Sequence, residues 1–257
     1  MPDALQPILP HIPAFMLVMF RLMGLFIFAP IFGSPVVPVR VRVFLALLLA
    51  FCIYPLVPPQ VPIQLNVFTM AFAIAMEIFI GLVIGYGASL PLVGMQIGGI
   101  MIGHQLGLGL ARVFNPDSNE ETEVLSQLMY FMALAVFLLL NGHHVLVASV
   151  ARTFSTVPLG GYTPDGHVLD VMVGLLTSML ELAVRVSAPL LCLIFLETVA
   201  LGFIARTVPQ INILSIGFPL RILMGLFLLA VMVGPMYGQI SRAIHETMVV
   251  VYRMFAL

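Results

Sequence analysis

The 257-residue sequence predicts an all-α fold, a multi-helix apolar bundle of about six hydrophobic segments with a kinked or broken third segment and a C-terminal helical hairpin. Three observations lead there. The chain is 61% hydrophobic and only 8% charged, where a soluble domain carries roughly 25% charged residues. Its mean hydropathy is +1.16. The apolar residues run in stretches long enough to meet a bilayer, and inside lipid a single segment satisfies all its backbone groups by coiling into a helix. Lipid or other apolar protein must therefore solvate much of the exterior.

The segments follow in order. The first runs from about Ile12 to Phe32 and carries Arg21; the second, Val43 to Val57, ends in a cluster of Pro55, Pro58, Pro59 and Pro62. A third begins near Val67 and continues without an obvious stop to about Ala111. Its 45 residues would extend roughly 68 Å as one helix, against a hydrocarbon core of ~30 Å. Pro91 is expected to kink or break it, giving either two helices or one that leaves the bilayer plane. The fourth is Val124 to Leu140, the fifth Val171 to Ile204, and the sixth Ile211 to Ile240 with an amphipathic tail to Leu257. A loop over residues 155–170 (with Val-Pro-Leu-Gly-Gly at its start) separates the last two segments from the rest, so one domain with a soft division near residue 160 is expected. The start, MPDALQPILPHIP, lacks a basic n-region and does not read as a secretory signal peptide.

Glycines mark where helices meet closely. Gly81 and Gly85 are spaced by four, as are Gly99 and Gly103, and small residues at that spacing let backbones approach. Two readings stand open for them: packing within the chain, or a crowded assembly of subunits. Glu77 shares the face of Gly81 and Gly85, which makes Glu77, Gly81, Gly85, Gly99 and Gly103 the candidate subunit-interface residues. Ionisable groups in apolar segments are functional candidates. Glu181 and Arg185 stand four apart with the acid first, the favourable order on a helix. Arg21, Glu77, Glu197 and Arg221 have no local partner and require one from elsewhere in the chain or from another subunit. For Glu77, a proton-relay role stands beside a buried ion pair.

Several functions are excluded or left without support. All ten basic residues are arginines, scattered, and the net charge is −1; a nucleic-acid surface needs a clustered basic patch. Cys52 and Cys192 lie in separate apolar segments and read as small hydrophobes. Asn141-Gly142-His143-His144 has two histidines, but adjacent side chains on a helix point about 100° apart, and no third ligand accompanies them. No metal or cofactor is expected. No nucleophile motif or phosphate-binding glycine loop occurs, so no catalytic residue is assigned and no enzyme is expected. The most polar stretch, Gly107 to Glu123, is glycine-rich and apolar first and acidic afterwards. It reads either as a surface connection or as a loop moving in a cavity.

Several runs together carry a resemblance. Ala29-Pro30-Ile31, then Val37-Pro38 with Arg40, Gly107-Leu-Gly-Leu-Ala up to Asn115-Pro116, Asn141-Gly142-His143, Thr156-Val-Pro-Leu-Gly160, and Val208-Pro209-Gln210 through Gly217-Phe218-Pro219-Leu220 stand in one order along the whole chain. In this the sequence resembles the FliR family of flagellar type III export proteins. The resemblance implies a non-enzymatic pore subunit that assembles with FliP and FliQ homologues into a helical pore complex. FlhB and FlhA stand beside it, and unfolded flagellar proteins pass through. The implied site is the bacterial inner membrane, at the flagellar basal body. It also implies a FliP-like part over about 1–160, a FliQ-like helical hairpin over about 161–257, and a pore loop or plug formed by Gly107, Leu108, Gly109, Leu110, Val113 and Phe114. The family commonly carries Asp-Pro where Asn115-Pro116 stands here, and bulky aromatics at the positions of Leu110 and Val113; Phe114 is the bulky neighbour in this chain.

Two alternatives accompany this reading. One is the equivalent subunit of a virulence-type injectisome, which genes for a needle in place of hook and rod proteins would reveal. The other is a small-solute secondary transporter, suggested by Glu77, Glu197 and a broken third segment; it would be stable without foreign partners. An intramembrane enzyme would need an activity lost on changing His143 or His144.

Overall fold

The computed structural model describes residues 11–58, 67–108, 124–162, 166–207 and 213–255. Among these, seven α-helices appear in order: α1 (His11–Phe28), α2 (Val39–Ile53), α3 (Val67–Gln105), α4 (Val124–Leu139), α5 (Gly142–Thr156), α6 (Gly166–Thr207) and α7 (Ile213–Arg253). A 3-10 turn, Tyr54–Leu56, closes α2. The described residues contain no strand. Among the described residues five helices are long and apolar enough to cross a membrane, and α4 with α5, bent by 65° at their junction, counts as a sixth span or a re-entrant pair.

The expected segments are present, with two differences. Helix α3 is one helix, running unbroken through Pro91 for 39 residues, so the two-helix alternative is not adopted. Proline removes one N–H from the ladder but need not end a helix whose flanking turns are packed. The second difference is α5. Residues 142–156 do not form an apolar run, because His143, His144, Ser149, Arg152 and Thr153 interrupt them. The Asn141-Gly142 turn is there, but the chain re-enters a helix at once. Helix α7 likewise absorbs the amphipathic tail, and holds Pro219 and Pro235 in its interior.

The chain divides into two compact units that do not follow chain order. The first takes residues 1–90, 138–176 and 244–257. Its core includes Leu17, Leu22 and Leu25 of α1, Ile80 and Ile84 of α3, and Leu146 and Val150 of α5, each completely buried. The end of α7 closes this core: Val251 and Met254 are buried, and Tyr252 lies under the Arg152 guanidinium, 4.5 Å from the ring centroid. The second unit takes residues 91–137 and 177–243. Met95, Leu106, Met129, Ala133, Phe137, Ile194 and Ile240 are its fully buried apolar residues.

The α1–α2 connection is an ordered loop. Its Ile31 takes a left-handed φ of 73°, costly for a β-branched residue. Arg42 of the next helix ties the end of the loop down, donating to the carbonyls of Ser34 at 2.5 Å and Val37 at 3.2 Å.

Candidate functional site

A charge in the middle of an apolar helix needs a partner, because an isolated buried ion costs many kcal/mol. Arg21, completely buried in α1, finds that partner within the chain, across the first unit. Its Nε donates to Glu77 Oε2 of α3 at 2.5 Å, and both side chains are 0% exposed. One terminal nitrogen donates to Thr153 Oγ1 of α5 at 2.8 Å, the other to the Val157 carbonyl at 3.4 Å. The guanidinium also lies 4.3 Å from the Phe154 ring centroid, a cation–π contact in a desolvated setting. On the acid, Oε1 accepts the Gly160 N–H at 2.9 Å. Both carboxylate oxygens and all three guanidinium nitrogens are thus engaged. A pair engaged at every nitrogen and oxygen in this way holds α1, α3, α5 and the following turn in one arrangement.

This geometry explains the Thr156-Val-Pro-Leu-Gly160 run. The turn after α5 supplies one acceptor to the arginine and one donor to the glutamate. Gly160 makes its contact at φ +67°, which glycine adopts without penalty. Sequence reasoning had singled out Glu77 and Arg21 separately but not Thr153, Phe154 or Gly160 as their companions. Gly160 alone carried a signal, through the motif that contains it.

The glycine ladder works in the same place. A Cβ on Gly81 would run into the Arg21 carbonyl oxygen, and one on Gly24 into that of Ile78. At Gly85 it would lie 2.5 Å from the Leu25 carbonyl. Backbone contact between α1 and α3 therefore requires these glycines, and it brings Glu77, one turn before Gly81, within reach of Arg21. In the second unit, a Cβ on Gly99 would lie 2.7 Å from Ser126 Cα in α4. Gly81, Gly85 and Gly99 each meet helices of their own chain. Gly103 serves the end of α3 through its carbonyl.

That end is a capped terminus. Gly107 stands at φ 79°; its N–H bonds the His104 carbonyl at 3.0 Å, and the Leu108 N–H bonds that of Gly103 at 3.1 Å. The pattern is a Schellman cap, in which the left-handed residue is normally glycine. Gly107 thus stops the helix at a defined point. Leu108 follows, partly exposed. The rest of the expected plug, Gly109, Leu110, Val113 and Phe114, lies outside the described residues.

Asn141 makes a further left-handed turn, at φ 54°, and its carbonyl accepts the His144 N–H at 2.9 Å. Gly142 is buried. His143 and His144 have ring centroids 4.2 Å apart, and no cluster of three or more metal-ligating side chains occurs among the described residues. The Asn141-Gly142-His143 run is a helix-to-helix corner with a bend of 65°. Of the last family run, Pro209 and Gln210 lie outside the described residues, while Gly217 is buried, Phe218 exposed and Pro219 internal to α7.

The second unit holds two further pairs. Glu197 of α6, 3% exposed at its side chain, meets Arg221 Nε of α7 at 3.4 Å. Arg221 also donates to Thr198 Oγ1 at 3.0 Å. These contacts join α6 to α7 on the two sides of the 208–212 connection, as expected of a hairpin. Glu181 and Arg185 pair along α6 as their spacing predicted, with side chains 61% and 56% exposed.

The sequence is also similar to known proteins. Residues 12–247 match the family model described as bacterial export proteins, family 1. The chain is 29% identical to the flagellar biosynthetic protein FliR of Bacillus subtilis over 256 residues, 98% of each chain. It is 31% identical to FliR of Escherichia coli K12, covering 82% of this chain and 81% of that one. With FliR of Caulobacter vibrioides the identity is 26% over 83% of this chain and 86% of the relative. A bundle of apolar helices pinned by buried charge pairs, matched to that family from the first helix into the last, belongs to the FliR family of bacterial flagellar export proteins.

Proposed function

We propose that this chain is a non-enzymatic pore subunit of the flagellar type III protein export gate, in the inner membrane at the basal body. In this reading it assembles with FliP and FliQ homologues, residues 1–160 taking a FliP-like place and 161–257 a FliQ-like one. FlhB and FlhA homologues adjoin the gate, and unfolded flagellar subunits pass through it.

The observation that carries the proposal is the exterior of α6 and α7. Gly202, Gly234 and Gly238 face open space, with nothing within 4 Å of a Cβ added there. The Glu181–Arg185 pair is more than half exposed on a helix otherwise apolar enough to cross a membrane. Lipid gains nothing from a bare glycine and solvates an ion pair poorly. Helices of a neighbouring subunit profit from both.

The segment from Gly107 to Phe114 is the plug in this reading. It leaves α3 from a capped terminus and offers Leu108, Leu110, Val113 and Phe114 as an apolar seal against water and ions.

Purification of the tagged chain from native membrane tests the proposal. FliP-like and FliQ-like partners should accompany it in a complex visible by electron microscopy. A chain that purifies alone, or only with copies of itself, and transports a small solute would overturn the proposal in favour of a secondary transporter.

A further inference from the structure

Helix α2 has an exterior of a different kind. It packs on α1, and its buried residues are Ala46, Ala50 and Ile53. Both of its alanines are used there. The remaining surface carries Val41, Val43, Phe44, Leu47, Leu48 and Phe51, all exposed, Phe51 at 72%. No glycine and no charged residue occurs from Val43 to Ile53. Interfaces between helices in membranes are built on small residues and hydrogen-bonding side chains; this face is bulky hydrocarbon with Cys52 as its one small exposed residue, suited to acyl chains.

The two ends of α2 fit a bilayer as well. The eighteen residues Val39–Leu56 span about 27 Å as a helix, close to the ~30 Å hydrocarbon core. At the far end Tyr54 holds its hydroxyl 2.7 Å from His11 Nδ1, and tyrosine is an interfacial residue. Two arginines stand at the near end. Arg42 is occupied by the Ser34 and Val37 carbonyls. Arg40 is exposed and has no acidic partner among the described residues. A bare guanidinium at the rim of an apolar helix is complementary to a phosphate, which it binds through paired N–H donors.

We propose that the outer face of α2 meets lipid in the assembled protein and that Arg40 binds the phosphate of an anionic phospholipid. The inference depends on the export-gate reading only in placing α2 at the periphery of the complex. The test is photocrosslinking of the full-length tagged chain in native membrane. A diazirine-bearing residue replaces Phe44, Leu48 or Phe51, and Val231 of α7 in a parallel sample. Mass spectrometry of the products should show phospholipid adducts at the three α2 positions and partner-subunit adducts at Val231. Protein or water insertion products in place of lipid at α2 would overturn the inference. Lipid at α2 and also at Val231 would leave it standing and count against the export-gate reading.

A second arm addresses Arg40. In nanodiscs of equal phosphatidylglycerol and phosphatidylcholine, Arg40→Gln should lower the enrichment of phosphatidylglycerol among the Phe44 adducts about fivefold, the effect of one arginine at an anionic surface. Arg40→Lys should keep it. An unchanged ratio in Arg40→Gln would refute the phosphate contact.

Discussion

Replacing Glu77 by alanine should be among the most damaging single changes in the chain. It leaves the Arg21 guanidinium completely buried with no counter-charge, and it strips the Gly160 N–H of its acceptor. Removing one member of a buried pair costs about 3–5 kcal/mol, and an orphaned buried N–H adds about 1–3 kcal/mol. For a protein of this size each kcal/mol lowers Tm by about 2–4 °C, so the loss of the charge alone predicts a fall of roughly 6–20 °C. The double variant Arg21→Met/Glu77→Leu should be less damaged than either single change. Both charges are gone, and the main residue is the unpaired Gly160 N–H, about 1–3 kcal/mol. The assay is denaturation of the detergent-solubilised protein for the wild type, both single variants and the double, read as a thermodynamic cycle. Additive losses, or a Glu77→Ala cost below about 1 kcal/mol on the same scale, would refute the view that these groups stabilise one another. Glu77→Gln, which mimics a protonated acid, separates the remaining alternative: a proton relay would lose export while keeping its stability, whereas a structural pair would lose stability first.

Other expectations follow from local geometry. Gly81→Ala should destabilise by at least about 1–3 kcal/mol, since its Cβ meets the α1 backbone, while Gly234→Ala, open on all sides, should be neutral or stabilising by up to ~1 kcal/mol. Circular dichroism melts of the two variants check this. Gly238→Leu should leave the isolated chain folded but cut recovery of partner subunits in a pull-down, if that face is an interface. Asn141→Val, forced into a left-handed conformation, should cost about 1–2 kcal/mol, and Asn141→Gly should be tolerated in the same melts. Deleting residues 108–114 should leave the complex assembled yet leaky to ions in a conductance assay; an assembled, tight complex would exclude the plug role.

Much of the architecture was legible because hydropathy is a local property. Long apolar runs with sparse charge can only be helices in an apolar setting, so α1 to α4, α6 and α7 could be marked from residue types alone. Helix α5 escaped because its polar residues mask a short segment that packs on one face. Pro91 left one helix or two open, and α3 runs through it as one. The Glu181–Arg185 pair was readable from spacing within one helix. Arg21–Glu77 and Glu197–Arg221 were not, being separated by 56 and 24 positions. Sequence by itself determined that buried charges must have partners and that glycines mark close approach, because desolvation and the volume of a Cβ are properties of the residues. Only the tertiary structure decided who the partners are. It set Glu77 against Arg21, turned Thr156–Gly160 into the clamp around them, and fitted Gly81 to the backbone of α1, because such contacts depend on where distant helices cross.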